Sequence, residues 1–276
     1  MKFGIVFTED NIKAQKLADK IVHYLSKQKQ EVTEEGNLEG VDYILSLGGD
    51  GTLIHTACEY VKLNVPFVGI NTGNLGFLTA TEVDGWKEAV EKLIKGDYFM
   101  SERMTIDASV ELETRNLPRR QAGKKLETYR AVNEVVIKGL YRIVDLEIKV
   151  NGEEFLRIVG DGVIVATQTG STAYSLSAGG PIVDPQLDSL LVTPINPIGL
   201  PIPSVVLSPE DKVEVKLAKG DDVLLIIDGQ EHTRLSENQG VEISRGKYDI
   251  KLVYFDKQHF LKSLNAKFGL SGRSVS

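Results

Sequence analysis

The hydrophobic pattern changes period once along this chain, near residue 100. Before that point, short apolar runs alternate with helical stripes. Lys2–Phe7 is a run suited to a buried parallel strand. Ala14, Leu17, Ala18, Ile21, Val22 and Leu25 then fall on one helical face. A strand at Val41–Leu47 leads to a helix at Thr52–Leu63, with Leu53, Ile54, Ala57, Cys58 and Val61 on one side. A strand at Val65–Asn71 is followed by a helix marked by Trp86, Ala89, Val90, Leu93 and Ile94, with Thr81 and Asp84 where a cap and its acidic partner belong. This order predicts a parallel sheet covered by helices.

After residue 100 the pattern predicts strands at Thr105–Glu113, Arg130–Lys138, Val144–Val150, Glu153–Ile158, Gly162–Ala166, Lys212–Ala218, Val223–Asp228 and Tyr248–Phe255. Asn151-Gly152 is a strong hairpin turn, because both residues tolerate positive φ. The fold class expected is α/β plus β, a Rossmann-like N-terminal domain and a sandwich-like C-terminal one. Boundaries are expected at 1–99, joined by 256–276, and at 100–255. Phe260–Phe268 is expected to pack back on the first domain. Arg115–Lys125, with Pro118, Gly123 and five basic residues, reads as a solvated hairpin loop; a clamp for a polyanion is the alternative.

Composition narrows the function classes. The 276 residues are 42% hydrophobic and 26% charged, enough for one large domain or two ordinary ones. A net charge of −7 argues against a DNA- or RNA-backbone binder, without excluding a local basic patch for a small phosphorylated ligand. The single cysteine, Cys58, cannot form an intramolecular disulfide and reads as a small buried residue. The apolar start is too short for a signal peptide, and no run approaches the ~20 apolar residues of a spanning helix, so a cytoplasmic protein is expected. His23, His55, His232 and His259 are scattered, without metal-ligand spacing, so no structural metal is expected.

Candidate chemistry starts at Gly48-Gly49-Asp50-Gly51-Thr52, between an apolar strand and a helix. Backbone N–H groups in such a loop point at an anion, and glycines admit a phosphate closely. The spacing is neither the Walker pattern nor the dinucleotide fingerprint. A carboxylate among phosphate-binding amides makes sense if Asp50 takes a proton from an attacking hydroxyl or orients a metal ion.

Three further segments carry polarity where a core would be expected. Asn71-Thr72-Gly73-Asn74-Leu75-Gly76-Phe77-Leu78 is a glycine-broken loop whose Phe77 could face a flat base or the core. Asn133-Glu134 interrupts an apolar run and needs partners if buried; an amide suits an adenine edge and a carboxylate suits ribose hydroxyls. Gly160-Asp161-Gly162 leads into a strand and then into the hydroxyl- and glycine-rich stretch Thr167–Pro181, where Tyr174 offers a ring to stack.

These motifs, in this order, strongly resemble the NAD kinase family from the first strand to about Tyr254. The glycine loop alone is shared with lipid kinases and, in variant form, phosphofructokinases; the Thr169–Pro181 stretch is the most specific part. The resemblance implies phosphoryl transfer from ATP or polyphosphate to the adenosine-ribose 2′-hydroxyl of NAD, with Mg²⁺ accompanying ATP and no tightly bound cofactor. It assigns the base to Asp50 and donor binding to Gly48, Gly49, Gly51 and Thr52. It assigns NAD binding to Asp50, Gly51, Leu75, Phe77, Asn133, Glu134, Arg142, Asp161, Thr172, Ala173, Tyr174, Ser177, Asp228 and Gln230. Family members are homodimers or homotetramers that share part of the pocket, so a homo-oligomer is implied, with no nucleic acid or membrane partner.

Two positions depart from the family pattern. Gln168 stands where proline is usual, and Val159 where many bacterial members carry a basic residue, with Arg157 nearby. Two other functions share some of these features. A lipid kinase would want an exposed apolar entrance, and an NAD(P)-sensing module would keep Asn133, Glu134 and Tyr174 but would not need Asp50.

Overall fold

A computed structural model describes residues 1–34, 36–73, 76–113, 124–199 and 201–269. Asn74, Leu75 and the basic segment as far as residue 123 therefore lie outside the described residues. The chain divides into two compact units, Met1–Arg103 with Asp249–Ser276, and Met104–Tyr248.

In the first unit the sheet runs in the order Glu31–Glu34, Lys2–Phe7, Tyr43–Gly48, Pro66–Asn71, Ile250–Tyr254, Phe99–Arg103. The first four strands pair in parallel. The helix Ile12–Lys27 is capped by Asn11, whose side chain accepts the Ala14 N–H. Its buried Ala14, Leu17, Ala18, Ile21 and Leu25 share a core with Phe3, Leu45, Leu47, Val68 and Ile70, and with Val90 and Leu93 of the helix Trp86–Lys95. The helix Asp50–Tyr60 meets the sheet elsewhere: Thr56 lies 3.3 Å from Ser46, and Gly69 has no room for a Cβ beside Leu53. Strands covered in this way read as unbroken apolar runs. Two details depart from expectation. The second helix begins at Asp50 itself, and the third follows the 3₁₀ turn Val83–Gly85 with no side-chain cap, while the Thr81 hydroxyl donates to the Glu82 carbonyl.

The expected strand Tyr248–Phe255 belongs to this sheet, not to the β-rich domain. Ile250–Tyr254 pairs in parallel with Pro66–Asn71 and antiparallel with Phe99–Arg103. Its local period identifies a strand but not its partners. Yet Ile250, Leu252, Val253 and Tyr254 are all buried, whereas Val213–Lys219 of the second unit alternates. That contrast is the signature of a strand covered on both faces.

The second unit holds, among the described residues, two antiparallel six-stranded sheets. One runs Glu153–Gly160, Val144–Val150, Val213–Lys219, Gly240–Arg245, Ile106–Glu113, Lys124–Ala131; the other runs Val205–Leu207, Leu190–Ile195, Gly162–Thr167, Glu134–Gly139, Val223–Ile227, Gln230–Leu235. Their inner faces interdigitate through residues such as Ile106, Leu146, Val215 and Ile243 from one sheet and Val135, Val163, Val192 and Leu225 from the other. The hairpin at Asn151-Gly152 has positive φ at both residues. The run read as one strand, Arg130–Lys138, is two strands in different sheets, broken at Val132-Asn133. Asn133-Glu134 thus sits where the chain crosses between the layers. No helix among the described residues is long and apolar enough to cross a membrane.

Candidate active site

In the first unit, the buried strand Tyr43–Gly48 ends in the glycine loop. Gly48 is glycine for packing, since a Cβ there would lie 2.3 Å from Thr52 Oγ1. Gly49 and Gly51 are different. Neither has positive φ, and a Cβ on either would meet nothing. The folded chain itself does not require glycine at these two positions, and their bare backbone leaves the first turn of the helix open to close approach.

Asp50 opens that helix, and its carboxylate is gripped by the next loop. Oδ2 accepts the Phe77 N–H at 2.6 Å; Oδ1 accepts those of Leu78 at 3.1 Å and Thr79 at 3.2 Å. Three of the carboxylate's roughly four acceptor positions are taken. Gly76 makes this possible, because a Cβ there would sit 2.0 Å from Asp50 Oδ1. The two motifs read separately in the sequence are therefore one structure. Asn71 stiffens it by accepting the Gly73 N–H at 2.8 Å. The Phe77 ring lies beside Phe268, centroids 6.2 Å apart, with Lys267 Nζ 4.3 Å from its centroid.

In the second unit, Glu134 is 5% exposed on a strand with neighbours on both sides. Burial, and secondarily the charge of Asp228, push its carboxyl up to about 8. Its Oε2 and the Oδ1 of Asn133 are buried without a hydrogen bond. Asp228, at φ +46°, turns inward: its carboxylate accepts the N–H groups of Val132, Asn133 and Glu134 at 2.7, 2.8 and 3.0 Å. Its contacts are therefore with the Asn-Glu backbone, while Gln230, two residues on, is exposed. Thr167 completes the frame by donating its hydroxyl to the Val132 carbonyl at 2.6 Å, and Gly170 has no room for a Cβ beside the Asn133 carbonyl.

A second group in this unit lines a cavity of about 350 Å³: Asp161, Arg142 and Tyr174 with Lys138, Tyr141 and Asn196. Asn196 donates to Asp161 at 2.8 Å. Tyr174 opens the short helix Tyr174–Ser177 and is 37% exposed; Ser177 is exposed too, and Thr172 and Ala173 are half-buried. Ser171 and Ser175 turn inward instead, to Val183 and Thr193. The sequence reading had no place for Lys138 or Asn196. Lys138 pairs opposite Gly162, and that register is the signal that brings it beside Asp161.

Residues 6–98 match the model of the ATP-NAD kinase N-terminal domain, and residues 132–255 that of the ATP-NAD kinase C-terminal domain. The chain belongs to the NAD kinase family. Two bacterial NAD kinases show how far the likeness extends. That of Clostridium botulinum (strain Kyoto / Type A2) is 36% identical over 98% of this chain and 97% of its own. That of Fusobacterium nucleatum subsp. nucleatum is 36% identical over 97% of each. A yeast NADH kinase complexed with NADH shares the fold at TM-score 0.86 and 21% identity, covering 100% of this chain and 90% of that one. An Archaeoglobus fulgidus NAD kinase complexed with ATP aligns at TM-score 0.77 and 26% identity, over 98% of this chain and 100% of that one.

The two departures from the NAD kinase pattern now have structural descriptions. Gln168 has φ −57°, close to the value proline imposes, and its Nε2 donates to Asp188, which also accepts from Arg245. Arg157 does not stand in for a basic residue at Val159, because it is committed to a bidentate pair with Asp145. The cations lining the cavity beside Asp161 are Lys138 and Arg142.

Proposed function

We propose that this chain transfers a phosphoryl group from ATP to the adenosine-ribose 2′-hydroxyl of NAD, with Asp50 taking the hydroxyl's proton. The observation that carries this reading is the pair of buried atoms without partners, Asn133 Oδ1 and Glu134 Oε2, in a frame where Asp228 and Thr167 satisfy the surrounding backbone. Native interiors rarely leave such atoms unpaired, so a ligand bearing both donors and acceptors, as an adenosine does, fits here. Asp161, Arg142, Tyr174 and Lys138 offer charge and a ring to the rest of the dinucleotide. The open faces of Gly49 and Gly51 offer amides to the donor's phosphates.

Asp50 keeps one acceptor position after its three amides. A positioned carboxylate that takes the hydroxyl proton as the phosphorus bond forms contributes about 10²–10⁴-fold. Mg²⁺ fits the site as an ion carried on the donor's phosphates and water, because no group of three or more His, Cys, Asp or Glu side chains gathers among the described residues. When bound, it neutralises charge on the phosphates. Inorganic polyphosphate is the alternative donor. We read the protein as a cytoplasmic homodimer or homotetramer, and the exposed Leu140, Tyr141 and Ile143 are apolar surface suited to a second copy.

The test is NADP formation from NAD and Mg²⁺ with ATP or with polyphosphate. Asp50→Asn is expected to lower turnover by at least about 10²-fold while NAD still binds. No NADP from either donor would sink the reading, and a near-normal Asp50→Asn rate would remove the base.

A further inference from the structure

Between the two sheets of the second unit the chain crosses at Val132-Asn133, and such a crossing takes backbone groups out of the strand ladders. Thr167 meets the carbonyls: its hydroxyl donates to the Val132 oxygen at 2.6 Å, and its N–H donates to the Asn133 oxygen at 2.8 Å. A different residue meets the N–H groups. Asp228 Oδ2 accepts from Val132 at 2.7 Å, and Oδ1 accepts from Asn133 at 2.8 Å and from Glu134 at 3.0 Å. The Asp228 N–H donates back to the Glu134 carbonyl at 3.0 Å. Asp228 reaches this place from the turn between Val223–Ile227 and Gln230–Leu235, where it has φ +46° and Gly229 has φ +81°.

This arrangement decides what the two side chains can bind. Asparagine side chains commonly fold back to accept a nearby backbone N–H, and a carboxylate accepts such a donor strongly. Here the N–H groups of Val132, Asn133 and Glu134 are already taken by Asp228. Asn133 Oδ1 and Glu134 Oε2 are accordingly buried with no partner among the described residues. A residue without an acceptor at 228 would leave those N–H groups unsatisfied and free to capture the pair.

We propose that Asp228 is a positioning residue for Asn133 and Glu134: by accepting the three backbone N–H groups of the crossing, it keeps both side chains unpaired and available to the adenosine. Its carboxylate does this without touching NAD. The pair then bonds the ligand without first breaking bonds inside the protein, so less of the binding free energy is lost to rearrangement. The proposal rests on the reading of Asn133 and Glu134 as the adenosine site.

Asp228→Gly removes the carboxylate but keeps the turn, because glycine adopts positive φ without strain. Asp228→Asn also suits that φ and keeps one acceptor oxygen. Calorimetric titration of the full chain with NAD should give a Kd raised about ten- to hundredfold in Asp228→Gly, the scale of one hydrogen bond lost to the ligand, and less in Asp228→Asn. In steady-state kinetics the change should appear in KM for NAD, with KM for ATP near wild type. The deciding measurement is a double-mutant cycle against a chain carrying Asn133→Ala and Glu134→Ala. With the pair truncated, Asp228→Gly should cost little further affinity. Additive losses overturn the proposal, because Asp228 would then contact NAD itself. A wild-type Kd in Asp228→Gly overturns it too, since a residue that only supports the fold lowers the melting temperature without moving the Kd of the folded chain. If circular dichroism shows Asp228→Gly unfolded, Asp228→Asn carries the same cycle, read in the same way. If truncating the pair alone leaves the Kd for NAD unchanged, the adenosine reading above fails, and this proposal with it.

Discussion

At the scale of single residues, three carboxylates sit in three different settings. Asp50 faces three amides from one loop, Asp228 faces three amides from one strand crossing, and Glu134 faces none. Only the first two are held as acceptors of backbone N–H groups. Glu134 is buried beside Asp228, and its value rises from an ordinary 4.5 to about 8. The folded value therefore lies above the unfolded one. Between these two values the folded protein keeps a proton that the unfolded chain has released, so stability falls as pH rises through that window. One such group contributes at most about 1.4 kcal/mol per pH unit. Glu134→Gln should remove this contribution. Urea melts of wild type and variant across the window check it, and parallel curves would show that Glu134 does not titrate as described. The neutral form also carries an O–H donor, which suits a ligand acceptor.

At the scale of elements, the loop after Gly162–Thr167 shows how a departure from a family pattern is absorbed. Proline at 168 would fix a φ that Gln168 already adopts, and Thr167 before it is in a strand, where a residue preceding proline is comfortable. The glutamine adds a link to Asp188, and through it to Arg245 on another strand. Gln168→Pro should thus trade a side-chain hydrogen bond for a stiffer unfolded chain. Gains of about 0.4–1 kcal/mol and losses of about 1.5–3 kcal/mol for a bond to a charged group leave a net destabilisation of roughly 0.5–2.6 kcal/mol. Turnover should stay near wild type. A thermal melt and one kinetic run check both, and a strongly impaired enzyme would show that the Asp188 link, not the backbone angle, sets this loop.

At the scale of the whole molecule, one unit is continuous in sequence and the other is not. Residues 104–248 contain both sheets and the core between them. Residues 1–103 lack Ile250–Tyr254, which fills the place between Pro66–Asn71 and Phe99–Arg103. Expressed separately, 104–248 should fold and 1–103 should not. Loss of cooperative melting in the first fragment, or a folded second one, would reverse this account of where the chain closes. The C-terminal segment thus brings a central strand to the first unit.

Much of this was legible from residue order alone. The change of period near residue 100, the strand-loop-helix around Asp50 and the Asn151-Gly152 hairpin rest on local chemistry, which a sequence displays directly. The likeness of five spaced motifs identified the family. Other features required long-range contacts. Gly76 could be read as a loop glycine, but only the fold shows that the Asp50 carboxylate occupies the space of its missing Cβ. Asp228 could be read as facing ligand, but its turn aims it at Val132, Asn133 and Glu134. Sequence alone determined the change of period, the chemistry of the motifs and the family, since these follow from local pattern and residue type. Tertiary structure decided which sheet Ile250–Tyr254 joins and which groups hold Asp50, because strand partners and buried hydrogen bonds are set by burial between distant segments, which no local pattern encodes.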